Sequence, residues 1–386
     1  MEKNVNQSKQ IRVLHVLTAM NRAGAETMLM NLYRAIDREK VQFDFAVTAT
    51  TCCDYDDEIR ALGGRIIRYP KYRGTNHLQY KKWWNDFFKN NHEYHIVHGH
   101  IGSTASIYLR IAKRYGMYTI AHSHSTGELK SVRDLFYKAY SYSTRYIADY
   151  FIGCSTDALI SRYGKKIARL KDRSTILNNG VDVKKYTFSD YTRRAIREEL
   201  GIKDETLVVG TVGRFTEAKN TFFIVDILYE IKKKIPDFVF VWAGAGELKD
   251  KVEDYIEKKG LSSNVKLLGV REDIPRVLHA MNVFILPSKF EGLPVIGVEV
   301  QAAGVPMLCS DKVSKEVNMS KCVTFLPIDS TAPWVSEILN ERTYRRIPDA
   351  SCDVIKAGYD INSTASWLLS FYEQKQQTKT QERNAF

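Results

Sequence analysis

The sequence predicts an α/β protein made of two Rossmann-like domains, each an open parallel sheet covered by helices. Its 386 residues are too many for one ordinary hydrophobic core and fit two domains of common size. Short apolar strands alternate with helical patterns along the chain, as is typical of parallel sheets. The alternation restarts at Leu207–Val212 after a polar stretch at 184–205, so we place the domains at 1–186 and 187–362.

The first domain is predicted to begin with strand Ile11–Leu17, a turn that carries Gly24, and a helix at Glu26–Ile36. A glycine at this turn lets backbone approach a phosphate closely, although an ordinary tight turn also favours glycine. The later strands of this domain are predicted at Phe43–Val47, Arg65–Tyr69, Ile96–His98, Tyr118–Ala121 and Phe151–Ser155. Helical patterns separate them, among them Asp56–Leu62 and 80–90.

Histidines stand where two of these strands end. His122 directly follows the strand at Tyr118–Ala121, His124 lies two residues beyond, and His100 follows the strand at Ile96–His98. The carboxyl ends of strands in an open α/β sheet line the ligand crevice, so we predict a ligand contact for His122. A purely structural histidine is the alternative, and for His100 both readings stay open.

The second domain is predicted to begin with strand Leu207–Val212, which leads into Gly213. Arg214 and Lys219 follow, so two cations lie at the carboxyl end of a strand. Arginine offers a planar fork and lysine a point charge, and together they can neutralise a diphosphate; solvent-exposed loop cations are the alternative. The later strands are predicted at Phe238–Ala243, Val265–Gly269, Val283–Leu286 and Pro306–Ser310.

The most informative stretch is Pro287–Gly304, which follows the strand at Val283–Leu286. It reads as a loop carrying Glu291 and then a helix from Leu293 to Ala303, with Glu299 about two turns up that helix. Free backbone N–H groups around Gly292 and Leu293, together with the helix dipole, favour a bound phosphate or diphosphate. The plainer alternative makes Glu291 a residue of the helix start and Glu299 part of a solvated helix face.

Glu-x7-Glu, with Ser-x-x-Glu-Gly-Leu-Pro in front and Ala-Ala-Gly behind, resembles the signature of the family 4 retaining glycosyltransferases. In that family the first glutamate, here Glu291, lies against the donor sugar and diphosphate. The second, here Glu299, grips the ribose, whose neighbouring hydroxyls suit one carboxylate. The segment from Gly213 to Lys219 resembles the family's Gly-Arg-x4-Lys motif, which faces the leaving diphosphate.

The resemblance extends over residues 11–373 and implies further contacts. The turn at Gly24 is similar to the family's Gly-Gly-Ala-Glu turn, although Ala23 replaces the first glycine. His122 falls where the family has a strand-end histidine that contacts the donor sugar, and the backbone at Val270 corresponds to the segment that meets the base. The closing helix at 363–373 is expected to cross back to the first domain, and 374–386 are predicted to be a disordered tail.

The family implies the GT-B fold, with two Rossmann-like domains that face each other across a cleft, and transfer with retention of configuration. The sequence supplies no convincing nucleophilic carboxylate, so we predict departure and attack on one face of the sugar. Arg214, Lys219 and the amides near Leu293 then stabilise the leaving diphosphate, and Glu291 and His122 position the sugar. No cofactor is expected beyond the substrate, a nucleotide sugar for which UDP is the expected nucleotide.

No metal is expected either. Asp54-Tyr55-Asp56 matches the Asp-x-Asp pattern with which other sugar transferases hold a metal, but these acids precede a helix. Aspartate favours that position as a cap and through the helix dipole. The six cysteines have no metal-site spacing, and we interpret them as reduced cytosolic thiols.

The net charge of +12 is carried by the first half of the chain. Residues 1–186 hold 30 Lys and Arg against 17 Asp and Glu, whereas residues 187–386 hold 27 against 28. Such a basic surface suits an anionic membrane, a lipid phosphate or a nucleic acid, although it can also serve only solubility. No nucleic-acid motif is present. Candidates for gripping a phosphorylated lipid are Arg133, Lys138 and Arg145.

These observations predict a cytoplasmic, peripheral enzyme at the inner membrane face that transfers a hexose to a lipid-linked saccharide in capsule or exopolysaccharide synthesis. The N-terminus lacks the apolar core of a secretory signal, and no apolar run reaches the length of a membrane helix. Two alternatives remain: a nucleotide-sugar epimerase with a similar two-domain shell, and a transferase that acts on a soluble acceptor.

Overall fold

A computed structural model describes residues 10–22, 24–124, 142–340 and 345–384, with residues 378–384 described by their backbone alone. The chain divides into two compact units. The N-terminal unit contains residues 1–179 together with the segment from Ile361 onward, and the C-terminal unit is Gly180–Asp360. The division therefore follows Asn179, whereas the sequence placed it after Tyr186.

The N-terminal unit is built on a seven-stranded sheet, and all its pairings are parallel. The strands are β1 Ile11–Leu17, β2 Val41–Val47, β3 Ile66–Arg68, β4 Tyr94–Gly99, β5 Tyr118–Ser123, β6 Tyr150–Gly153 and β7 Ser174–Ile176. Their order in the sheet is β3-β2-β1-β4-β5-β6-β7. The order reverses between β1 and β4, which is where open α/β sheets bind ligands at the carboxyl ends of their strands.

Among the described residues, the helices between the strands of this sheet are α1 Gly24–Ala35, α2 Asp56–Ala61, α3 His77–Asn90, α4 Ala105–Arg114, α5 Thr156–Tyr163 and α6 Lys165–Ala168. A 3₁₀ turn lies at Tyr142–Tyr146. The predicted cap at Ser155 is present, because its hydroxyl accepts the N–H of Ala158 at 3.1 Å. Apolar cores cover both faces of the sheet, as a parallel sheet requires.

A buried carboxylate ties the first strands together. Asp44 on β2 is fully buried and accepts two hydrogen bonds from Arg12 on β1, at 2.6 and 2.8 Å. It also accepts the hydroxyl of Tyr94 on β4 and the backbone N–H of Arg65, both at 2.8 Å. Because a buried charge is tolerated only when it is paired and hydrogen-bonded, this network fixes β1 between β2 and β4.

The C-terminal unit contains a second parallel sheet of six strands. These are β8 Val208–Val212, β9 Val239–Ala243, β10 Val265–Gly269, β11 Val283–Leu286, β12 Met307–Ser310 and β13 Val323–Leu326. Their order is β10-β9-β8-β11-β12-β13, so the switch point lies between β8 and β11. The segments that carry the predicted diphosphate and ribose contacts, from Gly213 to Lys219 and from Glu291 to Glu299, follow these two strands.

The helices that the structure describes around this sheet are α7 Val183–Tyr186, α8 Asp190–Glu199, α9 Thr221–Lys232, α10 Lys249–Lys258, α11 Ile274–Ala280, α12 Val295–Ala302, α13 Ala332–Ile338 and α14 Ala350–Lys356. Short 3₁₀ turns lie at Glu217–Lys219 and Lys315–Val317. The helix predicted to begin at Leu293 starts at Val295, because Pro294 is still extended, with φ −72° and ψ 124°.

The last helix, α15 (Ile361–Asn384), belongs to the N-terminal unit. It packs on α1 and on the strands β1, β4 and β5, with Leu368 and Tyr372 fully buried. The prediction that the closing helix returns to the first domain agrees with this packing. Residues 374–384 are helical where the sequence predicted disorder. Within the described ranges, no helix is both long and apolar enough to cross a membrane.

Candidate functional site

The C-terminal unit brings two distant motif residues into direct contact. Lys219 lies on the 3₁₀ turn after β8, and its ammonium group is 2.7 Å from a carboxylate oxygen of Glu291, on the loop after β11. Both side chains are largely buried, with 22% and 17% of their surface exposed. The hydroxyl of Ser288 donates to the same carboxylate oxygen. The strand ends at the switch point therefore hold a hydrogen-bonded carboxylate and a paired cation.

A glycine with no room for a side chain allows this loop to form. The side chain of Lys219 lies over Gly213 in ordinary van der Waals contact, with its Cε 3.4 Å from the position of a Cβ built there. Gly244, which follows β9, has a φ of 150°, and a Cβ there would lie 2.0 Å from the carbonyl oxygen of Gly213. No side chain fits at Gly244, so the loop after β9 presses directly on the turn that leads to Lys219.

Arg214 follows Gly213 on the same loop as Lys219 but is arranged differently. Its side chain is exposed, and the part of the chain that the structure describes gives it no ion pair or hydrogen bond. The unpaired guanidinium gives this loop a positive charge that no described carboxylate neutralises. An anionic group can therefore bind Arg214 without breaking an existing bond, whereas Lys219 must share its charge with Glu291.

Glu299, on α12, lies apart from that pair in a different environment. Its carboxylate accepts a hydrogen bond of 2.7 Å from the hydroxyl of Tyr186, on α7. Burial raises the pKa of Glu299 to about 7, and the hydrogen bond from Tyr186 opposes that rise. The carboxyl group thus changes its charge near neutral pH, and Tyr186 stays protonated because burial raises its pKa.

The remaining predicted contacts of this unit are open to solvent. No atom lies within 4 Å of a Cβ built on Gly292, so the backbone at the start of α12 is accessible. Leu293 is partly exposed, and 67% of Val270 is exposed just after Gly269, whose φ is 64°. Accessible backbone at these loops is compatible with the predicted diphosphate and base contacts.

The N-terminal unit gathers five histidines at the carboxyl ends of β1, β4 and β5. His98 contacts His122 at 3.2 Å, and His98 also contacts the hydroxyl of Tyr372 on α15 at 2.7 Å. A second set links His15 to His100 at 3.0 Å and His100 to His124 at 2.7 Å. Burial lowers the pKa of all five, that of His124 to about 4, so they are neutral at pH 7.

Gly24 is the first residue of α1, two residues earlier than the predicted helix start at Glu26. It is exposed, and no atom lies within 4 Å of a Cβ built there. The position is therefore open for a close approach of a ligand, but the packing does not require glycine. Arg133 and Lys138 lie outside the described residues, and Arg145 stacks on the ring of Tyr142 at 4.0 Å.

Two sets of side chains come near metal-binding geometry. Nitrogens of His15, His98 and His100, and those of His100, His122 and His124, lie within 4.8 Å of one another in each trio. Most of these nitrogens are already hydrogen-bonded to each other, and we assign no metal to them. In the Asp-x-Asp segment, Asp56 pairs with Arg68 at 2.5 Å and Asp54 accepts the N–H of Arg22 at 2.9 Å.

The prediction that an aspartate of this segment caps the helix α2 is wrong. Tyr55 is the N-cap of α2, its side chain makes no capping hydrogen bond, and Asp56 lies in the first turn. The acid therefore favours the helix through the dipole and its pairing with Arg68, not as a cap.

Sequence reasoning missed the partners of the predicted site residues: Ser288 beside Glu291, Tyr186 beside Glu299, and His98, with Tyr372 behind it, beside His122. Ser288 lies inside the motif, and its position three residues before Glu291 was a usable signal. Tyr186 and Tyr372 gave no signal, because each reaches its partner across more than 100 residues of sequence. His15 was visible as a lone histidine in an apolar strand.

Comparison with known protein families matches both units. The family model described as "Glycosyltransferase Family 4" matches residues 22–185, and the one described as "Glycosyl transferases group 1" matches residues 192–318. EpsF of Bacillus subtilis, named as a glycosyltransferase, is 34% identical over 376 residues. That match covers 95% of this chain and 97% of EpsF.

Two further relatives carry more specific names. The UDP-Gal:α-D-GlcNAc-diphosphoundecaprenol α-1,3-galactosyltransferase of Escherichia coli is 26% identical and is matched over 81% of each chain. The capsular polysaccharide biosynthesis glycosyltransferase CapH of Staphylococcus aureus is 23% identical, over 95% of this chain and 99% of CapH.

Among solved structures, Alr3699/HepE of Anabaena in complex with UDP superposes with a TM-score of 0.76 at 16% identity. The superposition covers 94% of this chain and all of that one.

Proposed function

This chain belongs to the family 4 glycosyltransferases and has their GT-B fold, and from that premise we propose a retaining hexosyltransferase that uses a UDP-linked sugar. The observation that carries the proposal is the contact between Lys219 and Glu291 at the switch point of the C-terminal unit. It joins the two motifs that the family uses on the donor. The proposed acceptor is a lipid-linked saccharide of a bacterial surface polysaccharide.

In the proposed reaction the bond between the anomeric carbon and the diphosphate oxygen breaks. Arg214, Lys219 and the backbone amides near Leu293 stabilise the negative charge that develops on the departing diphosphate. The acceptor hydroxyl attacks from the same face, and its proton passes to the leaving diphosphate oxygen. Glu291 and His122 position the sugar, and Glu299 holds the ribose. Neither a metal nor a cofactor takes part in this scheme.

The donor is proposed from the relatives. HepE was crystallised with UDP and with UDP-glucose, and the Escherichia coli relative is named for UDP-Gal. The acceptor is proposed in the same way, because that relative is named for a diphosphoundecaprenol-linked sugar and CapH for capsular polysaccharide. The basic N-terminal half of the chain suits such an anionic lipid at the inner face of the cell membrane.

We expect UDP-sugars to stabilise the protein against heat in the presence of EDTA, and GDP- and ADP-sugars not to do so. A ligand that binds only the folded protein raises its stability by about 2.7 kcal/mol at one hundred times its dissociation constant. The measurement is a thermal-shift panel on the full chain, with free glucose as the control. Stabilisation by GDP- or ADP-sugars alone would show that the proposed nucleotide is wrong.

We also expect the protein to float with anionic liposomes at low salt and to be released at high salt, because surface attraction is screened by ions. Lys165, Lys166 and Arg169 are exposed on or beside α6. Reversing their charge should reduce flotation, whereas the same change at Lys251 and Lys258 on α10 should not. Failure of the wild-type protein to float at low salt would favour a soluble acceptor.

A further inference from the structure

A hydrogen-bonded chain of three side chains ends at His122. It begins at the hydroxyl of Tyr372 on α15, passes through Nδ1 and Nε2 of His98 on β4, and reaches Nδ1 of His122 on β5. The three residues are 0%, 1% and 2% exposed. The other ring nitrogen of His122, Nε2, is buried and has no hydrogen-bond partner among the described residues.

The direction of the hydrogen bonds in this chain follows from the chemistry of its members. Burial lowers the pKa of both histidines and raises that of Tyr372, so all three groups are neutral at pH 7. A neutral imidazole has one N–H and one lone pair. Two arrangements are possible in which each of the two hydrogen bonds joins one donor to one acceptor.

In the first arrangement the hydroxyl of Tyr372 donates to Nδ1 of His98, and Nε2–H of His98 donates to Nδ1 of His122. The second arrangement reverses both bonds, and the hydroxyl proton of Tyr372 then has no acceptor within the described part of the chain. Each arrangement leaves one buried donor without an acceptor among the described residues: Nε2–H of His122 in the first, and the hydroxyl of Tyr372 in the second. A ligand oxygen that meets Nε2 of His122 satisfies the donor of the first arrangement, whereas it leaves the hydroxyl of Tyr372, at the other end of the chain, unpaired in the second. The first arrangement is therefore favoured when such a ligand is bound.

We propose that Tyr372 and His98 are positioning residues that hold His122 as the Nε2–H tautomer, so that His122 donates a hydrogen bond to an oxygen of the donor substrate. This inference rests on the proposed function, in which His122 contacts the donor sugar. The inference adds the chemical nature of the substrate atom that His122 meets. That atom must be a hydrogen-bond acceptor, such as the oxygen of a sugar hydroxyl or of the diphosphate. The inference also assigns His122 no role as a general base in the proton transfer.

The direct test is the histidine tautomer in the intact protein, read from long-range ¹H–¹⁵N correlations after selective ¹⁵N-histidine labelling. The chain has nine histidines, and His122→Gln identifies the signals of His122. With a UDP-sugar at saturating concentration, we expect a protonated Nε2 in the wild-type protein and a mixture of tautomers in Tyr372→Phe. A protonated Nδ1 in the wild-type protein under the same conditions would overturn the proposal without the need for any variant.

Kinetics provide the second test. Tyr372→Phe is expected to lower kcat about tenfold with a smaller change in KM, because His122 no longer donates in every molecule. Tyr163→Phe is the matched control, since that ring is buried in the same unit and its hydroxyl has no hydrogen bond in the described structure. His122→Gln, which keeps a donor near Nε2, should retain more activity than His122→Leu.

The outcomes separate this inference from the proposed function. If His122→Leu leaves donor binding and turnover unchanged, the proposed contact of His122 with the sugar fails. If His122→Leu loses activity but Tyr372→Phe keeps both the wild-type tautomer and the wild-type kcat, only the positioning role fails. Circular dichroism of each variant checks that it is folded.

Discussion

Replacing Lys219 by alanine is expected to lower kcat about 10²- to 10³-fold, the effect typical of removing one preorganised group that stabilises developing charge. Of the two cations proposed to face the diphosphate, Lys219 is the one that the fold holds in place, through its 2.7 Å contact with Glu291 and its position over Gly213. The loss should fall mainly on kcat, because the negative charge of the diphosphate increases as the sugar departs. Initial rates at saturating donor measure it.

Two controls distinguish the loss of the Lys219 charge from a structural change in the loop that carries it. Lys233→Ala removes a lysine that pairs with Glu230 at 2.7 Å on the surface of α9, and it should leave kcat unchanged. Lys219→Ala combined with Glu291→Gln tests whether the loss comes only from an unpaired carboxylate. Recovery of kcat in the double variant, or wild-type kcat in Lys219→Ala, would contradict the proposed leaving-group role.

The fold was predictable because buried parallel strands leave a clear signal. Every strand predicted from an apolar run is present, including Ile11–Leu17 and Val283–Leu286. The two strands that were missed, β7 and β13, lie at the edges of their sheets. They are only three and four residues long and contain Ser174, Thr175 and Thr324, because an edge strand is exposed on one side and needs fewer apolar residues.

The motif residues could be identified from the sequence, but their contacts with one another could not. Gly213, Lys219 and Glu291 were found from local spacing, yet nothing local shows that Lys219 and Glu291 touch, since 72 residues separate them. For the same reason, the sequence did not indicate that Tyr186 contacts Glu299 or that Tyr372 contacts His98. A tyrosine in a helix looks like an ordinary core residue until the topology places its hydroxyl against a buried carboxylate or imidazole.

The extent of the closing helix was also underestimated. Its apolar residues end near Tyr372, and the polar sequence beyond predicted a disordered tail, yet the backbone is helical to Asn384. Residues such as Gln374, Lys375 and Gln376 are good helix formers, and they continue a helix whose first turns are anchored by burial against α1. Helix propensity, not hydrophobic periodicity, was the informative signal there.

The second large effect is expected at Glu299, whose replacement by alanine should weaken binding of a UDP-sugar about 10- to 100-fold. A charge-assisted hydrogen bond contributes about 1.5–3 kcal/mol, and the expected change corresponds to the net loss of one such bond to the ribose hydroxyls. Isothermal titration of the wild-type and Glu299→Ala proteins with one UDP-sugar measures the change. An unchanged dissociation constant in the variant would remove Glu299 from the donor site.

The same residue makes binding depend on pH in a defined direction. Burial raises the pKa of Glu299 to about 7, and the ionised form is the better hydrogen-bond acceptor. Donor affinity should therefore fall about tenfold as the pH drops from 8 to 6, because the carboxylate becomes protonated. A UDP-sugar is the right probe, since its diphosphate diester does not titrate in this range.

Two variants test the cause of that pH dependence. Glu299→Gln cannot titrate, so its donor affinity should be flat between pH 6 and 8. Tyr186→Phe removes the hydrogen bond that opposes the raised pKa, so the fall in affinity should begin at a higher pH than in the wild-type protein. An equal pH dependence in Glu299→Gln and in the wild-type protein would assign the titration to another group, and the ribose contact would then rest on the alanine variant alone.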